Sequence, residues 1–278
     1  MLVIAGAGDI AGALAQRAAS RARFRDIRLI DESGAPAAGK ALDIRQAGPV
    51  DGYDSRVTGH DSFDAASGAS VVAIADRFKG AEWEGDTGLA MLAALLPLIG
   101  DAPIVFTGAR QIWLMEAAHR ELKVPVWRMA GSAPGALEGA LRALAAIAID
   151  RSATDISLRA YGRPPDRVVI AWSSAVAAGA PLEGVLPAHT RLAISDRAKG
   201  LWPPGPTALA SAAARVAEGL AFGTRRSHTC FVVGDGNPLT RGVAAAMPVD
   251  LARGKVLKVK RPALSEREQV AFDTAVSR

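Results

Sequence analysis

The chain has 278 residues, of which 50% are hydrophobic and 22% are charged, and this composition excludes disordered and fibrous proteins. Its length lies above the usual size of a single domain, so we expect two joined domains. The 33 basic and 28 acidic residues give a net charge of +5. No focused basic stripe with stacking aromatic residues accompanies that charge, so a nucleic-acid-binding protein is not expected.

Cysteine usage and apolar segments bear on the cellular compartment. The single cysteine, Cys230, excludes an intramolecular disulfide and a cysteine-based zinc site, and it suits a reducing compartment. A β-type run starts at Leu2 with no basic segment before it, so no signal peptide is expected. The longest apolar run, 89–99, is too short to cross a bilayer and contains Pro97. We therefore expect a soluble, cytoplasmic protein without membrane contact.

Short β-type runs alternate with helical stretches in the first half of the chain. Apolar and β-branched residues predict strands at 2–5, 27–30, 71–75, 104–107 and 124–129. Between them, helices are predicted at 10–21, 88–99 and 112–122. This alternation indicates a doubly wound parallel sheet covered by helices on both faces, which is an α/β fold of the Rossmann type.

The pattern changes at Gly-Ser-Ala-Pro-Gly, residues 131–135. An Ala/Leu-rich helix is predicted at about 136–148, and a second Ala-rich helix at 207–222. Further β-type runs lie at 156–161, 168–172, 229–233 and 256–259, and a capping-box sequence at Ser265 begins a last helix. We therefore predict a Rossmann domain at 1–132 and an α+β domain at 133–278.

A glycine-rich turn follows the first strand directly. Gly6, Gly8 and Gly12 form a G-x-G-x-x-G pattern that opens the first helix through Asp9 and Ile10. In such a turn the first glycine permits a tight bend, the second allows the backbone to approach a pyrophosphate, and the third allows close helix packing. The phosphate then meets the free N–H groups of the helix N-terminus.

An acidic residue completes this pattern. The second predicted strand ends in Asp31, 19 residues after Gly12. A carboxylate there accepts hydrogen bonds from the adenosine ribose and repels a 2′-phosphate, which favours NAD over NADP. The alternative is a glycine-rich turn that packs a helix and binds no ligand.

These residues resemble the malate/lactate dehydrogenase family, and malate dehydrogenases most closely. The resemblance rests on Gly-Ala-Gly-Asp-Ile at 6–10, Asp31, Gly-Lys-Ala-Leu-Asp-Ile at 39–44 and Met-Ala-Gly at 129–131, and it runs from residue 2 to about 276. It implies that the second domain follows the malate dehydrogenase plan and that the chain forms a homo-oligomer, a dimer or tetramer. It also implies NAD as the cofactor, with a binding set that consists of Gly6, Gly8, Asp9, Ile10, Asp31, Ala75 and Thr107.

The catalytic half of the family pattern differs in this chain. In the family a His moves the hydroxyl proton, an Asp orients that His, and Arg side chains clamp the substrate carboxylates. The corresponding positions here are Pro164 for the His, Pro134 for the Asp and Leu137 for an Arg. The loop after the fourth predicted strand is shortened and acidic over 76–86, and Gly108 replaces the family's Asn. The catalytic residues are therefore unknown, and malate or lactate oxidation is not expected.

Two functions remain open at this point. The first is an NAD-binding family member without catalysis, acting as a non-catalytic subunit, a sensor or a scaffold with a protein partner. The second is an oxidoreductase with a re-invented site on an uncharged or cationic substrate, for which Arg163, Asp166 and His189 are candidates. A third reading is a structural relic with a closed cofactor cleft. His60 and His119 are interpreted as solvated or packing residues, Arg163 and Asp166 as a surface ion pair, and no cluster has metal-ligand spacing.

Overall fold

Six parallel strands form one half of the main sheet in the computed structural model, which describes residues 1–234 and 242–277. They are β1 (Leu2–Ala5), β2 (Asp26–Ile30), β3 (Arg56–His60), β4 (Val71–Ile74), β5 (Ile104–Phe106) and β6 (Met129–Gly131). Their order across the sheet is β3-β2-β1-β4-β5-β6. The strand order therefore reverses between β1 and β4, the point at which doubly wound sheets open a crevice at the carboxyl ends of their strands.

The described part of the chain contains eight α-helices, which connect or cover these strands. They are α1 (Asp9–Ser20), α2 (Gly34–Asp51), α3 (Gly85–Ile99), α4 (Ile112–Arg120), α5 (Ala133–Ile149), α6 (Ala188–Arg197), α7 (Pro206–Phe222) and α8 (Glu266–Val276). Short 3₁₀ turns lie at Phe63–Ala66, Val126–Arg128, Ala153–Asp155, Trp172–Ser174, Leu182–Gly184 and Ala198–Leu201. The helix α8 begins with the expected capping box, in which Ser265 and Glu268 bond each other's backbone N–H groups. None of the helices in the described part of the chain is long and apolar enough to cross a bilayer.

Antiparallel strands extend the same sheet. The remaining strands are β7 (Ile156–Ser157), β8 (Ala160–Arg163), β9 (Arg167–Ile170), β10 (Val176–Ala177), β11 (Ala180–Pro181), β12 (His228–Val233), β13 (Ala244–Ala252) and β14 (Lys255–Val259). Strand β12 joins the parallel half where Phe231 lies opposite Gly131. A Cβ atom on Gly131 would lie 2.8 Å from Phe231 Cβ, so this junction requires glycine. Strands β13, β8 and β9 follow in order, β14 pairs with β13, and β7, β10 and β11 form a separate sheet.

The predicted fold class is confirmed, and several element boundaries were wrong. The sequence did not indicate α2, β3 or β13; α2 contains several glycines and Pro49, and it buries only Ala37, Ala41, Ile44 and Gly48. The strand predicted at 124–129 is a 3₁₀ turn followed by β6, because Pro125 precedes the turn and strand pairing starts only at Met129. The run 156–161 is split between β7 and β8, which belong to different sheets.

The largest apolar cluster draws on both halves of the chain. It contains buried residues of β1 to β6 and their helices, and it continues through α7, β12 and β13 to Val256. A second cluster joins α5 to α6 and the small sheet through Leu137, Leu141 and Ile194. The division at residue 132 stays a prediction, and the continuous packing across β6 and β12 means that two such domains would share one core.

The first strand after α7 begins with a histidine whose charge is disfavoured. Burial, followed by the positive charges of Arg159, Arg215 and Arg226, lowers the pKa of His228 to about 4. Its Nε2 atom is buried and has no hydrogen-bond partner among the described residues. The side chain is therefore neutral at neutral pH.

His228 should make folding stability depend on pH. Its pKa is about 6.5 in the unfolded chain and lower in the folded state, so the unfolded chain binds the proton first and stability is lost as pH falls from about 6.5 to 4. When the pH falls from 7 to 4, we expect the unsubstituted protein to lose about 2–3 kcal/mol more unfolding free energy than the His228→Gln variant loses. Urea unfolding measured at several pH values checks this, and parallel curves for the two proteins would contradict it.

Candidate functional site

The glycine-rich turn lies between β1 and α1, where the sequence places it. Gly6 has φ +129°, and its N–H donates to Ile30 O at 2.6 Å. A Cβ atom on Gly6 would lie 2.2 Å from Asp76 O, and one on Gly8 would lie 2.3 Å from the Asp76 carboxylate. Both glycines are therefore required by a close approach. The group that approaches them is a residue of this chain.

The Asp76 carboxylate lies at the N-terminus of α1. It accepts hydrogen bonds from Ile10 N at 3.1 Å and from Ala11 N at 2.9 Å. Gly8 N donates to Asp76 O at 2.9 Å, and Asp76 is only 9% exposed. The free N–H groups and the dipole at a helix N-terminus favour an anion, and the Asp76 carboxylate is the anion that these N–H groups bind here. Asp9, the first residue of α1, remains exposed.

The Asp31 carboxylate is also bonded by this chain. It is 4% exposed and accepts N–H groups from Ala7 at 2.9 Å, Phe78 at 3.0 Å and Ser33 at 3.0 Å. The donors at Ala7 and Phe78 bond the same oxygen, Oδ2. Asp31 therefore connects the glycine-rich turn to the segment that follows Asp76.

Residues 76–84, named here the 76–84 loop, form a compact turn over the edge of the sheet. Asp76 and Glu82 pair as an isolated antiparallel bridge, and Arg77 N donates to Ala81 O at 3.3 Å. Trp83 is 3% exposed, and the Arg77 guanidinium lies 5.0 Å from the centre of its ring. A buried aromatic residue thus fixes the end of the loop.

A second carboxylate of the loop lies just before α4. Glu82 accepts Ala109 N at 3.0 Å and Arg110 N at 2.8 Å. A Cβ atom on Gly108 would lie 2.1 Å from Glu82 Oε2. Burial raises the pKa of Glu82, and the two backbone N–H donors oppose that rise.

The remaining predicted residues lie at the carboxyl ends of β4 and β5. Thr107 is fully buried, and its hydroxyl donates to Ile74 O at 2.8 Å. Ala75 O accepts Trp83 N at 3.4 Å and Gln111 Nε2 at 3.3 Å. The structure therefore brings the predicted glycines, Asp31, Ala75 and Thr107 to one edge of the sheet. There, Asp76, Phe78 and Trp83 of the 76–84 loop form hydrogen bonds with the start of α1, Asp31 and Ala75. In this arrangement the turn does not fit a dinucleotide phosphate.

The positions predicted to correspond to the family's acid and arginine are apolar and buried. Pro134 lies in the first turn of α5, and Leu137 is 1% exposed within the second apolar cluster. The next residue, Glu138, is buried and accepts Arg159 Nη1 at 3.1 Å and Thr229 Oγ1 at 2.5 Å. Burial raises the pKa of Glu138, and the charge of Arg159 opposes that rise. This carboxylate is satisfied by the structure around it.

The expected ion pair between Arg163 and Asp166 was wrong. Arg163 bonds Glu116 at 2.7 Å and Ala244 O at 2.7 Å, whereas Asp166 pairs with Lys199 at 3.0 Å on the surface. The long-range partner on α4 is better placed and less exposed than Asp166, so it takes the guanidinium. His189 is exposed on α6, and nothing joins it to either residue.

His60 and His119 make the local contacts expected of solvated or packing residues, and Cys230 is buried. His60 bonds Thr58 Oγ1 at 2.8 Å, and His119 bonds Val124 O at 3.1 Å. Burial raises the pKa of the Cys230 thiol, so no reactive thiolate forms. No cluster of three or more potential metal ligands occurs within 1–234 and 242–277.

One cavity reaches the start of α1, beside the glycine-rich turn. It has a volume of about 360 Å³, and its lining includes the predicted cofactor residues Asp9 and Ile10 together with Asp76, Glu82 and Pro203. A larger cavity, about 990 Å³, lies among α1, α5 and α7 and is lined by arginines that include Arg21, Arg142 and Arg215. None of the predicted cofactor residues lines the larger cavity, so we assign the candidate site from the bonded groups at the sheet edge.

Known proteins are similar to this chain over nearly its whole length, although no family model matches it. The chain is 26% identical to the malate dehydrogenase of Thermomicrobium roseum over 287 residues, which cover 97% of this chain and 92% of that protein. The malate dehydrogenase from Salinibacter ruber superposes with a TM-score of 0.86 at 23% identity and covers 99% and 93% of the two chains. The lactate dehydrogenase from Cryptosporidium parvum, solved with lactic acid and β-nicotinamide adenine dinucleotide, gives a TM-score of 0.87 at 20% identity, over 99% and 94% of the chains.

Asp31 should contribute to stability through its three N–H donors. Asp31→Asn removes the charge and turns an amide NH₂ toward one donor, so we expect a loss of about 2–3 kcal/mol of unfolding free energy. Urea unfolding followed by circular dichroism measures this loss. Glu32→Gln is the matched control because Glu32 is the exposed neighbour, and it should change stability by less than about 0.5 kcal/mol. Equal stability of the two variants would contradict the bonding of Asp31.

Proposed function

We propose that this chain is a member of the malate/lactate dehydrogenase family without malate or lactate dehydrogenase activity, acting as a non-catalytic subunit, a sensor or a scaffold; its likeness to malate dehydrogenases over nearly its whole length supports the family part of this proposal. Leu137 is the residue that carries this proposal. It corresponds to a substrate-binding arginine of the family and packs among Leu141, Leu158 and Ile170 in an apolar cluster. A leucine there cannot form the two parallel hydrogen bonds by which an arginine holds a carboxylate.

Proton transfer is affected independently. Pro164, at the position of the family's histidine, lies in the turn between β8 and β9 and has no group that accepts or donates a proton. Pro134 replaces the acid that would orient the histidine. Because anchoring and proton transfer are separate contributions to the rate, neither loss is compensated by the other.

The acidic 76–84 loop further disfavours a dicarboxylate substrate. Its carboxylates, the buried Asp76 and the partly buried Glu82, already accept hydrogen bonds from the backbone N–H groups at the start of α1 and before α4. A second anion at the same edge would meet like charges in a partly buried site, where repulsion is weakly screened.

The alternative is an oxidoreductase with a re-invented site for an uncharged or cationic substrate. That reading requires Arg163, Asp166 and His189 to converge, but Arg163 pairs with Glu116, Asp166 pairs with Lys199 and His189 is exposed. These separate partners favour the non-catalytic member.

NADH absorbance at saturating oxaloacetate or pyruvate tests the proposal. We expect a rate at least 10²- to 10⁴-fold below that of the Thermomicrobium roseum malate dehydrogenase assayed in parallel, since a positioned acid–base group contributes about that factor. Turnover of oxaloacetate near the median enzyme rate of about 10 s⁻¹ would contradict it. Turnover of only uncharged 2-oxo compounds would favour the alternative.

For the cofactor we propose NAD in preference to NADP. Asp31 lies at the carboxyl end of β2, beside the glycine-rich turn, where a carboxylate repels a 2′-phosphate. The similar lactate dehydrogenase from Cryptosporidium parvum was solved with β-nicotinamide adenine dinucleotide. The predicted binding set of Gly6, Gly8, Asp9, Ile10, Asp31, Ala75 and Thr107 belongs to this proposal.

We also propose a homo-oligomer, dimer or tetramer, in the cytoplasm. The helices α5 and α7 are rich in alanine, and small side chains permit close helix packing between subunits. The single buried cysteine suits a reducing compartment.

Assembly is measured directly by light scattering coupled to size exclusion. We expect a mass of two or four chains of 28.7 kDa at micromolar concentration. A monomer mass across that concentration range would contradict the proposal.

A further inference from the structure

We propose that the 76–84 loop is an intrachain competitor of the dinucleotide, with the Asp76 carboxylate in the place of a cofactor phosphate at α1. The identity of the competing ligand rests on the proposed function, whereas the position of the carboxylate rests on the hydrogen bonds of the loop. NAD then binds only when the loop leaves the cleft.

The first contact of the competitor is at the N-terminus of α1. A dinucleotide phosphate in a doubly wound sheet uses the N–H groups of this helix and the close approach allowed by the second glycine. Here Ile10 N and Ala11 N donate to Asp76 at 3.1 Å and 2.9 Å. The position of a Gly8 Cβ atom lies 2.3 Å from the carboxylate carbon. Asp76 therefore uses both features that would hold a phosphate.

The second contact is at the ribose-binding acid. Asp31 Oδ2, the group expected to accept a ribose hydroxyl, accepts the N–H of Phe78 at 3.0 Å. Phe78 lies two residues beyond Asp76, so one short segment engages both the phosphate position and the ribose position. The same segment cannot remain in place when a dinucleotide binds.

The third contact holds the far end of the loop. Glu82 accepts Ala109 N and Arg110 N, and Trp83 is buried behind it. Hydrogen bonds to charged acceptors are stronger than neutral ones, so this end resists displacement. The measured affinity for NAD is then the affinity of the open form reduced by the fraction of molecules that are open.

Isothermal titration calorimetry of the full chain with NAD, NADP and inorganic pyrophosphate tests the competition. Asp76→Ala removes the carboxylate and frees Ile10 N and Ala11 N. Asp86→Asn is the matched control, because it removes one negative charge just beyond the loop from an exposed side chain at the start of α3. We expect Asp76→Ala to bind NAD at least tenfold more tightly than the unsubstituted protein, and Asp86→Asn to bind NAD as weakly as the unsubstituted protein.

The outcomes separate this inference from the proposed function. Equal, measurable NAD affinity of the unsubstituted and Asp76→Ala proteins would overturn the inference that Asp76 competes with NAD. It would leave the proposal that NAD binds in the cleft intact. Binding of pyrophosphate, but not NAD, to Asp76→Ala alone would support Asp76 as the phosphate competitor and overturn NAD as the ligand. Binding of neither probe to Asp76→Ala would overturn the inference. Tighter NADP than NAD binding to Asp76→Ala would support the competitor and overturn the cofactor choice.

Hydrogen exchange keeps the inference falsifiable if Asp76→Ala does not fold. In the unsubstituted protein at millimolar NAD, we expect faster amide exchange for residues 77–83 and unchanged exchange for α8, because the loop must leave the cleft. Slower exchange of residues 77–83 with NAD would show that the loop closes over the ligand, and unchanged exchange would show that it is not displaced; either would overturn the competition. Assay of Asp76→Ala with oxaloacetate, where it folds, keeps the loss of catalysis separate from the closed cleft.

Discussion

The carboxylate of Asp76 is the contact on which the arrangement of the sheet edge depends. An α-helix begins with N–H groups that lack intrahelical partners, and a buried helix start requires an acceptor for them. In a cofactor-binding relative of this fold a phosphate can serve as that acceptor. In this chain the acceptor is covalently part of the protein, and the 76–84 loop, Asp31 and Glu82 are arranged around it. The glycines of the turn are needed by either acceptor.

Because either a phosphate or a carboxylate of the chain can be this acceptor, the glycine-rich motif alone could not show which of the two groups lies at the start of α1. Gly6, Gly8 and Asp31 are adjacent to strands that the sequence predicts well, so their meeting at one edge follows from the fold class. The direction in which the Asp76 side chain points depends on its hydrogen bonds with Ile10 and Ala11, which precede it in the sequence by 66 and 65 positions. Local periodicity carries no information on such a contact. The acidic residues of the 76–84 loop were visible in the sequence and were interpreted there as disfavouring an anionic substrate. In the structure, Asp76 and Glu82 accept hydrogen bonds from the backbone N–H groups at the start of α1 and before α4.

Elements were predicted where burial produces a regular pattern. The strands β1, β2, β4 and β5 are almost wholly buried, and their apolar runs predicted them closely. The helix α2 was missed because it presents few large apolar side chains and contains Pro49. The pairing of Arg163 with Glu116 was missed for a different reason: a nearby carboxylate, Asp166, offered a local partner, and the fold supplied a more buried one 47 residues away. The loss of the catalytic groups stays a prediction from residue type, made because proline and leucine lack the required groups in any arrangement.

The continuity of the largest apolar cluster bears on how the chain is synthesised. Residues up to Ala136 contribute one part of that cluster, and the rest comes from Leu209 to Val256. At a ribosomal rate of about 5–20 residues per second, the roughly 120 residues from Ala136 to Val256 take about 6–24 s to emerge. During that time the apolar surface that α7 and β12 will cover is exposed to solvent in the nascent chain. Intermediates of this kind are prone to aggregation, and a chaperone that binds early apolar segments would meet this protein before its cleft has formed.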